Sequence, residues 1–100
     1  MRAAKVDQNH PEIVAALRDC GCEVLSLAKI GKGCPDLLVY RTGRMYLLEV
    51  KHGKAKAKGS TKKAQETFAQ RWPVTVVRSI EDAIEAVQVK RPKEWDMVWF

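Results

Sequence analysis

Long apolar runs are missing from this chain. No stretch of its 100 residues approaches the roughly 20 apolar residues that a membrane-spanning helix needs. No signal peptide precedes the first helical pattern either. The expectation is therefore a cytoplasmic protein without a membrane partner. Cysteine is scarce and odd in number: Cys20, Cys22 and Cys34, without a secretory context, argue against a disulfide framework. Cys20-Gly21-Cys22 lacks the spacing of a zinc knuckle, and no second pair or paired histidine completes four ligands. These thiols read as small hydrophobes in or near the core. Acidic residues are in deficit, with 12 Asp and Glu against 18 Lys and Arg and a formal net charge of +6. That excess favours a polyanionic partner, because basic side chains release counterions when they neutralise phosphates. Internal repeats are lacking, and so is any base-reading motif, so recognition of a nucleic acid would go by shape.

What is present is enough for one globular domain. At 46% hydrophobic and 30% charged residues the composition is that of a folded protein. A chain this short buries a modest fraction of its surface, and a homodimer would enlarge a thin core. Residues 1–88 carry the element pattern. Residues 89–100 form a polar tail with an aromatic end, and Trp95 to Phe100 is the first candidate for contact with a second subunit.

The order of elements is readable from periodicity. A helix is predicted over residues 9–20, with Ile13, Val14, Ala16, Leu17 and Cys20 on one side. Asn9 and Glu12 resemble a capping box, and Gly21 ends the helix. Residues 22–27 form a short strand, and 29–35, with Gly31, Gly33 and Pro35, a loop. Residues 37–40 and 45–50 are the strongest strands, close enough in sequence for a hairpin. Residues 52–63, rich in Lys, Gly and Ala, read as an exposed, mobile loop. Ser60 or Thr61 caps a second helix reaching about Trp72, whose buried side would carry Ala64, Phe68 and Trp72. Pro73 blocks its continuation. Residues 74–77 form a β-branched strand. Ser79 caps a third helix with an apolar stripe of Ile80, Ala83, Ile84 and Val87. The result is αβββαβα, a mixed α/β domain.

Two short segments carry chemistry. Gly33-Cys34-Pro35-Asp36 places a carboxylate before one apolar run, and Leu47-Leu48-Glu49-Val50-Lys51 places a carboxylate and a lysine near the end of the next. Alternation puts Glu49 and Lys51 on one strand face. If Thr42-Gly43 is a two-residue turn, Tyr40 pairs with Met45 and Asp36 falls opposite Glu49. Directly opposed Cβ atoms lie ~4.5–5.5 Å apart, and opposed like charges repel. A divalent cation bridging the two acids would relieve that repulsion, and Mg²⁺ keeps several waters, so two carboxylates suffice. Lys51, about 6.6 Å from Glu49 by strand rise, is then placed to orient an attacking water and offset charge developing on a phosphate. A solvated Glu-x-Lys pair is the plain alternative. The apolar flanks Tyr46, Leu47, Leu48 and Val50 argue against it, because buried charges are costly unless paired.

Pro35-Asp36 with Glu49-Val50-Lys51 resembles the PD-(D/E)xK nuclease superfamily, and more closely the small stand-alone phage and bacterial VRR-NUC nucleases. The resemblance extends over residues 7–87. It includes the first helix, Gly-x-Gly-x-Pro-Asp, Leu-Leu-Glu-Val-Lys and a glutamine on the following helix. It implies a restriction-endonuclease-like core with a mixed central sheet. It also implies a Mg²⁺- or Mn²⁺-dependent endonuclease acting on branched or junction DNA, such as four-way junctions, and a homodimer. By resemblance Asp36 and Glu49 are metal ligands with the Val50 carbonyl, Lys51 is the catalytic lysine, and Gln65 supports the site. Asp7 takes the place of the family's first-helix acid, with His10 where a glutamine is usual and Glu12 as an alternative. Val77-Arg78-Ser79 keeps part of the family's Val-Arg-Arg signature, which makes Arg78 a substrate contact.

Lys54, Lys56, Lys58, Lys62 and Lys63 follow the active-site strand directly and read as an arm that tracks nucleic-acid phosphates. No aromatic residue interleaves them, so single-strand specificity is not expected. The rival reading is a nuclease-like module that holds DNA without cutting it. A third is a structural subunit of a larger complex.

Overall fold

The computed structural model describes residues 10–52 and 58–88. Asp7, the Asn9 cap, Lys54, Lys56 and the Trp95–Phe100 segment lie outside the described residues. The elements run α1 (His10–Asp19), β1 (Glu23–Ser26), β2 (Leu37–Arg41), β3 (Arg44–Val50), α2 (Gly59–Arg71), β4 (Val74–Val77) and α3 (Ile80–Ala86), the expected αβββαβα order. The strands form one mixed sheet in the order β1-β2-β3-β4. The first two pairings are antiparallel, and β4 adds to β3 in parallel after the α2 crossover.

The β2–β3 hairpin has the register expected from a two-residue turn. Tyr40 pairs with Met45, and Leu37 with Leu48. Thr42 and Gly43 both hold positive φ, 43° and 85°, the conformation whose twist matches that of the flanking strands. Thr42 pays for this as a β-branched residue in a region that favours glycine.

Alternation gives the sheet two unlike faces. Val24, Val39, Leu37, Leu48, Val50 and Val77 point to one face and pack against Ile13 and Leu17 of α1 and Ala83 of α3, with Val87 just beyond that helix. All are buried. On this face Ile13, Val14 and Leu17 of the first predicted stripe and Ile80, Ala83 and Val87 of the third helix's stripe meet the core, Ala16 and Ile84 are only half-buried, and Cys20 is exposed. The helix has ended there: Cys22 N–H bonds back to the Leu17 carbonyl at 3.0 Å, and Gly21 holds φ 90°. The start of α3 is capped in both directions. Ser79 Oγ accepts from Asp82 N–H at 3.0 Å, and Asp82 Oδ2 accepts from Arg78 N–H at 2.9 Å.

The other face carries Leu25, Leu38, Tyr40, Met45, Leu47, Glu49, Val74 and Val76. The second helix departs from expectation here. It begins at Gly59 rather than at Ser60 or Thr61, and Lys58 precedes it in extended backbone without a side-chain cap. Lys62 and Lys63 therefore sit on a helix and not in a mobile loop. The supposed buried side of α2 is not buried: no residue of the helix is, and Trp72 is 54% exposed. Its apolar complement, Ala64, Phe68 and Ala69, is too small to form a core stripe on a helix otherwise polar all round. Among the described residues no helix is long and apolar enough to cross a membrane.

Candidate active site

The site forms where the β2–β3 ladder ends and α2 crosses above it. Asp36 is held by its backbone before its side chain acts. Pro35 is buried, and the Asp36 carbonyl accepts from Leu27 N–H at 2.7 Å. The Asp36 Oδ2 then accepts from Val50 N–H at 2.8 Å. The ladder stops at the Leu37–Leu48 pair. Asp36 therefore folds its carboxylate onto the strand's amide rather than continuing as an opposed strand residue.

Glu49 sits one position before that amide, on the face away from the core, and is 8% exposed. It pairs across the sheet with Val76. Lys51 lies just past β3, its N–H bonded to the Val77 carbonyl at 3.0 Å. Alternation returns its side chain to the Glu49 face, where Nζ lies 3.3 Å from Glu49 Oε2. Gln65 closes the group from α2. Its Oε1 accepts from Lys51 Nζ at 3.0 Å, and its Nε2 donates to Glu49 Oε2 at 3.0 Å.

This arrangement corrects the repulsion argument. Glu49 faces a lysine and an amide, and Asp36 faces a backbone N–H, so no cation is needed to hold the two acids in place. The charged pair is mostly shielded from water, with side-chain exposures of 15% and 10%, and such burial is tolerated only when partners are well placed. Gln65 serves both partners at once.

The two carboxylates still face common space. Asp36, Glu49 and Gln65 line one cleft of about 470 Å³. Glu49, Lys51 and Gln65 line a second of about 340 Å³. Among the described residues no group of three or more His, Cys, Asp and Glu side chains could hold a metal, and the candidate side-chain donors among them are the two carboxylates Asp36 and Glu49. Among the described residues, Asp36 Oδ1 accepts no hydrogen bond. Hard oxygen donors at an open cleft fit Mg²⁺ or Mn²⁺, which complete their shells with water. Val50 turns its side chain into the core, so only its backbone faces this region.

The remaining expected residues divide by position. Lys62 and Arg78 line the cleft that holds Lys51. Lys58 and Lys63 are exposed and do not line the clefts that hold Asp36, Glu49 and Lys51. Glu12 is exposed on α1 and does not line those two clefts either. His10 is buried at the start of α1.

Two residues of the site were missed in the sequence. The Cys34 thiol lies beside both carboxylates; burial pushes it up, with the charges of Glu49 and Asp36 adding to the shift. Gly33 seats the helix. It holds φ 82°, and a Cβ there would overlap the Ala64 carbonyl and come within 3.0 Å of Gln65 N. The Gly-x-Gly spacing marked a turn, but nothing in it announced which helix would lie against that turn. No family model, curated protein or solved structure matches this chain.

Proposed function

We propose that the protein is a metal-dependent endonuclease of restriction-endonuclease-like architecture, hydrolysing phosphodiester bonds in DNA with branched or junction forms favoured, and working as a homodimer. The observation that carries the reading is the convergence of Asp36, Glu49, Lys51 and Gln65 at the end of the interior strand β3. Asp36, Glu49 and Gln65 line one cleft there, and Glu49 and Gln65 also line a second with Lys51, whose ammonium lies 3.3 Å from Glu49 Oε2. The basic balance of the chain suits a polyanion as substrate.

Each side chain has a role consistent with its contacts. Asp36 and Glu49, with the Val50 carbonyl, would hold Mg²⁺ or Mn²⁺, which when bound lowers the pKa of water and polarises a phosphoryl oxygen. Lys51 brings a fixed positive charge to meet the charge that develops on the phosphate. Gln65 restrains the Lys51 ammonium and one Glu49 oxygen together, so neither must reorganise as charge moves. Lys62 and Arg78 line the cleft with Lys51 and would draw the phosphate backbone in.

The test is a cleavage panel of hairpin, flap, duplex and four-way junction DNA with Mg²⁺, Mn²⁺ or EDTA. Metal-dependent nicking is expected, abolished by Asp36→Asn and slowed roughly 10²- to 10³-fold by Lys51→Ala. Tight binding with every substrate left intact would replace this reading with that of a non-cleaving DNA-binding module.

A further inference from the structure

The face of α2 turned away from Lys62 and Glu66 carries a third cleft. Lys32, from the loop between β1 and β2, meets Ala64, Thr67, Phe68, Arg71 and Trp72 there around a space of about 570 Å³. That volume is ordinary for a ligand pocket. The Phe68 and Trp72 rings are stacked, with centroids 5.7 Å apart and planes 21° from parallel. More than half of Trp72 remains exposed to solvent. Among the described residues two cations, Lys32 and Arg71, and no carboxylate line the space.

Aromatic faces beside cations are the chemistry that recognises a nucleotide: rings stack on the base, and Lys or Arg neutralises the phosphate. A core-packing role does not account for the rings, because no residue of α2 is buried. The cleft is also continuous with the site. Lys32 and Ala64 line both this space and the one that holds Asp36 and Glu49. A strand with its phosphate at the carboxylates would cross Lys32 to reach the rings. Bases inside a duplex are covered by their neighbours, so the rings can accept only an unstacked one.

We propose that this cleft is a subsite for an unpaired nucleotide flanking the phosphate held near Asp36 and Glu49, making DNA with a single-stranded segment beside the cut the preferred ligand. The placement of the cut rests on the nuclease reading; the binding of a single strand does not. No aromatic residue interleaves the lysines of 54–63, so single-strand specificity is not expected from that segment alone. The fold supplies the aromatics from the far end of α2 and the cation from a distant loop.

The test measures binding of a labelled short oligothymidylate and of a blunt duplex to the full chain in EDTA, by fluorescence anisotropy across a salt series. Trp72→Ala should weaken the oligothymidylate roughly 5- to 150-fold and leave the blunt duplex unchanged, while Trp72→Phe retains most of the affinity. Lys32→Gln should reduce the single-strand salt slope by about 0.7. Circular dichroism of each variant reports the fold. Wild-type affinity for oligothymidylate in a folded Trp72→Ala would overturn the subsite. So would an equal loss for blunt duplex, or a change only in oligomeric state by light scattering, which would make the face a contact between copies. Trp72-dependent binding by a wild-type protein that nicks nothing would leave the subsite standing and remove the nuclease. Metal-dependent nicking with binding indifferent to Trp72 would do the reverse.

Discussion

Asp36 has two tasks in one side chain, and substitutions can separate them. Its Oδ2 holds the Val50 amide at 2.8 Å, at the end of a strand whose Val50 side chain is in the core. Asparagine can present its own carbonyl oxygen to the same amide; alanine cannot. A buried donor left without a partner costs about 1–3 kcal/mol. Asp36→Asn should therefore unfold in urea close to wild type, whereas Asp36→Ala should lose about 1–3 kcal/mol; neither should support metal-dependent cleavage. Equal stability of the two variants would show that the amide contact contributes nothing. Residue by residue, much of this site was legible in the sequence. Period-two alternation places Glu49 and Lys51 together, and a Thr-Gly turn fixes the register that brings Asp36 to the same end. What the strand pattern did not contain was the destination of the Asp36 carboxylate. That depends on the ladder stopping one residue short, which sequence spacing does not encode.

Elements differ in how firmly they are held. The sheet, α1 and α3 share one buried cluster, while α2 has no buried residue yet delivers Gln65 to the site. Its seat is the backbone of Gly33. Gly31, two positions earlier, supplies the control: its φ is 73°, and a Cβ there meets nothing within 4 Å. Alanine at either position incurs the strain of a left-handed backbone, about 1–2 kcal/mol, but only Gly33→Ala also pushes on Ala64. Hydrogen exchange should then quicken across α2 in Gly33→Ala and not in Gly31→Ala. Cleavage by Gly33→Ala should fall toward that of Gln65→Ala, and the double variant should be little worse than either, as expected for residues acting through one contact. Matching exchange profiles for the two glycine variants would sink this view of the seat. The same helix explains where the sequence misled. Ala64, Phe68 and Trp72 at spacing four look alike whether a helix buries that side or lines a cleft with it. The distinction lay in amount: Gly59–Arg71 carries too few apolar side chains to anchor itself in a core.

At the scale of the whole molecule, charge can be separated from location. The chain carries a formal net charge of +6, so a general attraction to DNA would be weakened equally by the loss of any one basic residue. The proposed site makes a different demand. Lys62 lines the cleft with Lys51 and Arg78. Its ion pair with Glu66 is long, at 3.9 Å, and both side chains are 61% exposed, so the pair holds Lys62 weakly and a phosphate can compete for it. Arg44 starts β3 at the hairpin, six strand steps from Val50. At about 3.3 Å per step that is roughly 20 Å away, about two Debye lengths at ordinary ionic strength. Lys62→Ala and Arg44→Ala remove the same charge. Duplex binding followed from low to high salt, in EDTA, should lose about 0.9 from its log–log slope in Lys62→Ala and remain at the wild-type slope in Arg44→Ala. Equal slopes in both variants would mean that DNA meets the protein as a diffuse positive surface. The clefts around α2 would then have no special claim on the phosphate backbone.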